Sequence, residues 1–203
     1  MRSITIAGKV QFVEKHGTKT IVRCGAILPS QQSITFNAWM FGKRAESLEI
    51  GSSYLFDGDL RVDEDNGASF VVDSASATSV SAFTSFCTVS VSSRLTKDVE
   101  VKHFERGVLT STGMVINHAK DGQPLWLKLN FWGVIGEKIN QYFKKGDPIE
   151  IVGTLKLEQW ESQGETRSAW VLIGRSWSFP ISPQKEPESI SAPKKEPEYS
   201  DDF

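Results

Sequence analysis

LWLKLNFWGVIGEKINQYFKKGDPIEIVGTL, residues 125–155, changes its periodicity twice. Over Leu125–Trp132 the residues alternate with period two, the pattern of a half-buried strand. One face carries Leu125, Leu127, Leu129 and Phe131 and is wholly apolar. The other carries Trp126, Lys128, Asn130 and Trp132. Near 134–143 the period becomes helical, with Ile135, Ile139 and Tyr142 or Phe143 on one side. Lys144, Lys145 and Gly146 supply a basic last turn and a glycine stop. Period two then returns. Ile149, Ile151, Gly153, Leu155 and Leu157 form an inner face, and Thr154, Lys156, Glu158 and Trp160 an outer one.

Outward from this core, further strands are expected near 87–95, 107–117 and 168–179. Five short strands with one helix between the third and fourth is the plan of the OB fold, which binds oligonucleotides across its sheet and loops. The first half repeats it. GSSYLFDGDL (51–60) aligns with GDPIEIVGTL (146–155), so that Gly51, Gly58 and Leu60 match Gly146, Gly153 and Leu155. NAWMFGKRAESLEIG (37–51) parallels KLNFWGVIGEKINQYFKKG (128–146). The first copy is four residues shorter there, about one helical turn, so a shortened helix is expected. The fold class that follows is mainly all-β: two tandem five-stranded OB barrels, 1–80 and 86–180. Between them lies a stretch of small and hydroxylated residues, 74–85. Residues 181–203 are rich in proline and charge, and are expected to be a disordered linker and tip.

The outer faces carry the chemistry. Two tryptophans around a lysine and an amide make a poor core surface. They make a good platform on which bases stack and a cation meets phosphate. Trp126, Lys128, Asn130, Trp132, Lys156 and Trp160 are therefore the leading candidates for nucleic-acid contact, with Arg94, Lys102 and Arg167 as further cations. An aromatic stripe is more often core, but these strands already own a separate apolar face. Trp170 and Trp177 are assigned instead to core or subunit contacts. In the first half Ile34, Phe36, Ala38 and Met40 face inward, and Thr35, Asn37, Trp39 and Phe41 outward. The next strand there turns Asp57, Asp59, Arg61 and Asp63 outward, and three carboxylates repel phosphate. Trp39, Phe41 and Arg61 remain candidate contacts. Feeble binding and subunit contact both stay open for this half.

The 203 residues carry a net charge of -2, which argues against a uniformly basic binder. The tail from 181 onward holds three lysines and six acids, which leaves the rest nearly neutral. Binding therefore requires the cations to gather on one face. No apolar run approaches the ~18 residues of a membrane span, and the N-terminus lacks a signal peptide's apolar stretch. A cytoplasmic address is expected, with the nucleoid or a phage host's cytoplasm as settings. Cys24 and Cys87 have no metal-ligand spacing and are expected as buried thiols. His16, His103 and His118 are expected at the surface. No metal, cofactor or catalytic set can be argued, so the chain is not expected to be an enzyme.

The second half resembles the bacterial-type single-stranded DNA-binding protein family. SRLTKDVEVK (93–102) stands where the family has G-R-L-T-x-D-P-E-L-R, with Ser93 for the glycine and Val99 for the proline. WLKLNFWG, IGEKINQYF, KKGDPIEIVGTL and WESQG (160–164) follow the family's strand, helix, strand and turn motifs in order. The resemblance implies base stacking by Trp126, Trp132 and Trp160. A further stacking aromatic of the family's second strand has no tryptophan counterpart in GVLTSTGMVINHAK. The resemblance also implies that Asp201, Asp202 and Phe203 form an acidic tip that docks replication and repair partners, although the usual proline before the phenylalanine is absent. By analogy with one-barrel tetramers, two barrels per chain imply a homodimer. Single-stranded DNA is the expected ligand. RNA, and an accessory or assembly role in a replication complex, are the alternatives.

Overall fold

The computed structural model describes residues 2–62, 70–81, 85–116, 124–162 and 164–180. The tail 181–203, with Asp201, Asp202 and Phe203, lies outside them, as do Asp63 and His118. The first barrel is built from β1 (Arg2–His16), β2 (Lys19–Ile27), β3 (Ser33–Phe41), β4 (Ser53–Val62) and β5 (Phe70–Ser79). Its strands run β1-β2-β3-β5-β4 and close back on β1, with β3 and β5 parallel. Between β3 and β4 stands a short 3₁₀ helix, Gly42–Ser47, at the place of the shortened helix that the spacing predicts.

The second barrel repeats this order with β6 (Cys87–Arg94), β7 (Glu100–Phe104), β8 (Gly107–Ile116), β9 (Leu125–Trp132), β10 (Pro148–Ser162) and β11 (Glu165–Ser178). The helix α1 (Val134–Tyr142) sits between β9 and β10. β9 and β11 are parallel, as β3 and β5 are. One strand was not legible: β7, which pairs with β8 as a hairpin. It is the far half of the first OB strand. β1 runs unbroken apart from a bulge at Val10–Phe12, whereas its counterpart breaks after Arg94 and resumes at Glu100. Leu95 bridges Met114 across the break.

The matched pair Gly58 and Gly153 has one reason in both copies. Each crosses its neighbouring strand at a bulge, where a β-carbon on Gly58 would sit 2.7 Å from the Asp73 carbonyl and one on Gly153 would strike the Ile173 carbonyl. Only glycine allows that backbone approach. The helix corrects an expectation. Its buried side is Gly136, Ile139 and the following Phe143, while Ile135 and Tyr142 are exposed. Gly136 packs so closely on Thr110 and the Phe131 carbonyl that the helix rolls onto the glycine rather than onto Ile135.

The barrels share one core. β1 pairs antiparallel with β6 over Arg2–Ile6 and Cys87–Val91, joining the two sheets edge to edge. Phe36 stacks on Phe70 at 5.5 Å, and Phe70 meets Trp170 of the second barrel edge-on at 5.2 Å. Trp170 is thus a core residue between barrels. Trp177 packs among Tyr142, Phe143 and Phe179. Cys24 and Cys87 are buried free thiols. Burial pushes Cys24 far up and Cys87 up to about 11. His16 and His103 are exposed. Among the described residues no helix is long and apolar enough to cross a membrane.

Candidate nucleic-acid interface

β9 forms the middle of the candidate face. Leu125, Leu127, Leu129 and Phe131 are buried, and Trp126, Lys128 and Trp132 are exposed, as the alternation predicts. Trp126 and Trp132 are 63% and 50% exposed and lie six residues apart, about 20 Å at roughly 3.3 Å per residue. Rings so open, on a strand whose other side fills the core, contribute little to folding. Their apolar area is available to a ligand.

The register gathers the cations beside them. Gly113, Lys128, Val171 and Lys156 form one row across β8, β9, β11 and β10. Lys128 and Lys156 stand two strands apart, about 10 Å. Both ammonium groups reach Glu158, at 3.2 and 3.7 Å. One carboxylate therefore holds two lysines together and leaves a net positive charge. All three groups are partly open to water, so these contacts are weak and a phosphate can displace the carboxylate. At the far end Trp160 lies directly across from Arg167 on the β10–β11 hairpin, and both are exposed.

Beyond the Asn130 row stand Lys102, Leu109 and Trp132, across β7, β8 and β9. Lys102 is exposed beside the tryptophan, as a phosphate contact needs to be. Two residues further along β7, Phe104 is 52% exposed and its ring centre stands 6.2 Å from that of Trp132. The strand reading missed Phe104 because HFERG reads as a polar loop when β7 is not recognised. The exposed Lys97 was also missed. Its stem lies over Gly113, 3.6 Å from where a β-carbon would be, and so borders the Lys128 row.

Three expected contacts are placed differently. Asn130 is 5% exposed, and its side-chain oxygen accepts a hydrogen bond from the Ser111 hydroxyl at 2.9 Å. Thr154, in the same row through Ile173, is also buried, so this stretch of the outer face is closed. Arg94 donates to the Gly146 carbonyl at 2.9 Å, beside the exit of α1. It pairs with Pro148, eight residues from Lys156 along β10, or about 26 Å. Arg61 is drawn onto Asp73 at 2.6 Å, and that carboxylate is nearly buried.

In the first barrel Trp39 is half-buried, with the Lys19 ammonium 3.0 Å above its ring. One stacking surface is therefore covered by a cation. Phe41 is exposed. Asp57 and Asp59 are exposed as expected, and the Thr5 hydroxyl donates to Asp57 at 2.7 Å.

These features define a tandem OB-fold protein whose second barrel bears an aromatic and basic outer face. Residues 86–180 match the model of the single-strand binding protein family. Over 85 residues the chain is 39% identical to single-stranded DNA-binding protein 1 of Synechocystis sp., covering 70% of that protein and 39% of this chain. It is 31% identical over 88 residues to single-stranded DNA-binding protein 1 of Nostoc sp., covering 74% of that protein and 41% of this chain. The chain belongs to the single-strand binding protein family. The wild-type single-stranded DNA binding protein from Thermus aquaticus superposes with a TM-score of 0.60 at 15% identity, over 90% of this chain and 94% of that one. Its deletion mutant matches over 92% and 98%. At that identity the likeness concerns fold, and it extends across both barrels.

Proposed function

We propose that this chain binds single-stranded DNA, and coats and protects it in replication, recombination and repair. The observation that carries the proposal is the exposure of Trp126, Trp132 and Trp160 beside Lys128 and Lys156, over an apolar core that does not use them. Stacking on each ring contributes about 1–3 kcal/mol per base regardless of base identity. Lys102, Lys97, Arg167 and Phe104 extend the surface at its rim. The second barrel, 86–180, is the principal binding unit, and the first, 1–80, is secondary.

The test is titration of the chain with poly-dT and with a duplex of equal length, followed by tryptophan fluorescence. Tight single-strand binding with quenching is expected, weakening with salt by a log–log slope near ~0.7 per phosphate neutralised. Equal, weak binding to both would favour the accessory or assembly reading. A poly-U arm decides between DNA and RNA, since a stacking platform does not by itself exclude a 2′-hydroxyl. A homodimer belongs to the same proposal, and light scattering showing a stable monomer at micromolar concentration would refute it. Asp201, Asp202 and Phe203 are proposed to dock replication and repair proteins, two carboxylates steering a ring into a pocket edged by cations. Their deletion should spare poly-dT binding and abolish partner capture.

A further inference from the structure

We infer that the first barrel clamps the β10–β11 arm, and that Gln32 is the residue through which it positions Trp160 and Arg167. The inference rests on the binding proposed above. β10 is paired on both sides only as far as Gly153, where its pairing with β6 ends. Among the described residues, its ladder partner from Thr154 to Ser162 is β11 alone, and β11 meets β9 only over Val171–Ile173. The outer part of the arm, which carries Trp160 opposite Arg167, is thus a two-stranded ribbon. Such ribbons are marginal in water without further support.

The first barrel supplies that support at one register pair. The Gln32 side-chain amide donates to the Leu157 carbonyl at 2.6 Å, and the Leu157 N–H donates back to the Gln32 Oε1 at 3.1 Å. A single side chain thereby satisfies both backbone groups that a neighbouring strand would have paired. Leu157 faces Trp170 across the ribbon, and the Trp170 ring packs against Phe70. The arm is gripped on its backbone edge and through its side chains, three residues before Trp160 and three after Arg167.

Gln32 is itself held. The Ser30 hydroxyl donates to its Oε1 at 3.0 Å, which sets the amide's orientation. The turn is closed by Leu28 N–H to the Gln32 carbonyl and Gln31 N–H to the Leu28 carbonyl, each at 2.8 Å, and Leu28 is fully buried. A contact built on so fixed a turn orders the arm before a ligand arrives, so binding does not bear that ordering cost.

The test uses the full chain with Gln32→Ala and, to keep the side chain's length while removing both hydrogen bonds, Gln32→Met. Each should keep its far-ultraviolet circular dichroism and speed hydrogen exchange at the Leu157 amide. Poly-dT affinity should fall about three- to tenfold, the range that one or two ordinary hydrogen bonds convert to. The loss should vanish in a Trp160→Ala, Arg167→Ala background and persist beside Trp126→Ala. An equal loss in both backgrounds would show a general structural effect and overturn the positioning role. So would unchanged affinity alongside faster exchange at Leu157. Failure of the wild-type chain to bind poly-dT would instead overturn the binding proposal, whereas wild-type binding untouched by either Gln32 variant would overturn the clamp alone.

Discussion

The two barrels place four residues at the same register points and fill them differently. In the first the row is Arg23, Asn37, Val71 and Arg61; in the second it is Gly113, Lys128, Val171 and Lys156. The valines correspond, and both are fully buried. The terminal cations differ in their partners. Arg61 is tied to Asp73, a carboxylate nearly closed to water. At the place of Asp73 the second barrel has Ile173, so Lys156 turns to the more open Glu158. The first barrel's arginine is thereby spent within the fold, while the second barrel's lysine stays exchangeable. Stacking differs in the same direction: Trp39 is half-buried beneath Lys19, whereas Trp126 and Trp132 stand open. The two barrels thus share a backbone plan and differ in which cations and rings their outer faces leave open to solvent.

The contrast would break first at the aromatics. Trp126→Ala, Trp132→Ala and Trp160→Ala together should weaken poly-dT binding at least about 100-fold, since each stacked ring is worth roughly 1–3 kcal/mol. Trp39→Ala with Phe41→Ala should cost markedly less, no more than one ring's share of roughly 1–3 kcal/mol, because at most one open ring is lost there. Equal losses in titrations of the two folded variants would erase the distinction between barrels.

The cations sharpen it next. Asp73→Ala should lower stability by about 1–2 kcal/mol in urea unfolding, since it removes the ion pair and the acceptor of the Ser74 N–H. It should also release Arg61 and tighten binding slightly. Glu158→Gln should leave stability within about 0.5 kcal/mol, the range of exposed pairs. It should raise poly-dT affinity about two- to fivefold at low salt, and the gain should fade as screening grows. If Asp73→Ala proved neutral and Glu158→Gln destabilising, the assignment of locked and exchangeable cations would be reversed.

A last effect, on stability and not on binding, concerns the two thiols, one per barrel. Burial raises both, Cys87 to about 11, so the unfolded chain releases these protons at lower pH than the folded one. Their contribution is fully present below the ordinary thiol range and is lost as pH rises toward 11. Urea midpoints measured from pH 8 to 10.5 should therefore fall, and Cys87→Val should flatten part of that decline. An unchanged slope in the variant would count against burial of this thiol.

Much of the second barrel was legible because its strands alternate cleanly. LWLKLNFW separates a core side from an outer side within eight residues, and the exposed tryptophans stand where that alternation puts them. The glycine match of Gly58 to Gly153 was legible too, because a backbone crossing leaves no room for a side chain in either copy. β7 was not, since Glu100–Phe104 has almost no buried residue to mark a period, and Phe104 went with it. Asn130 and Arg61 failed for another reason. Alternation tells which way a side chain points, not what meets it there.

The sequence by itself determined the two OB barrels, the rank of one over the other as an aromatic surface, and the buried state of both thiols. These follow from local period and composition, which act over a few residues. Only the tertiary structure decided which charges remain exchangeable and how the barrels touch. Glu158 reaches Lys128 from two strands away, Asp73 takes Arg61 across a strand pair, and Gln32 meets Leu157 from 125 residues distant. Such pairings depend on register and on barrel-to-barrel placement, and neither is written in any single stretch of the chain.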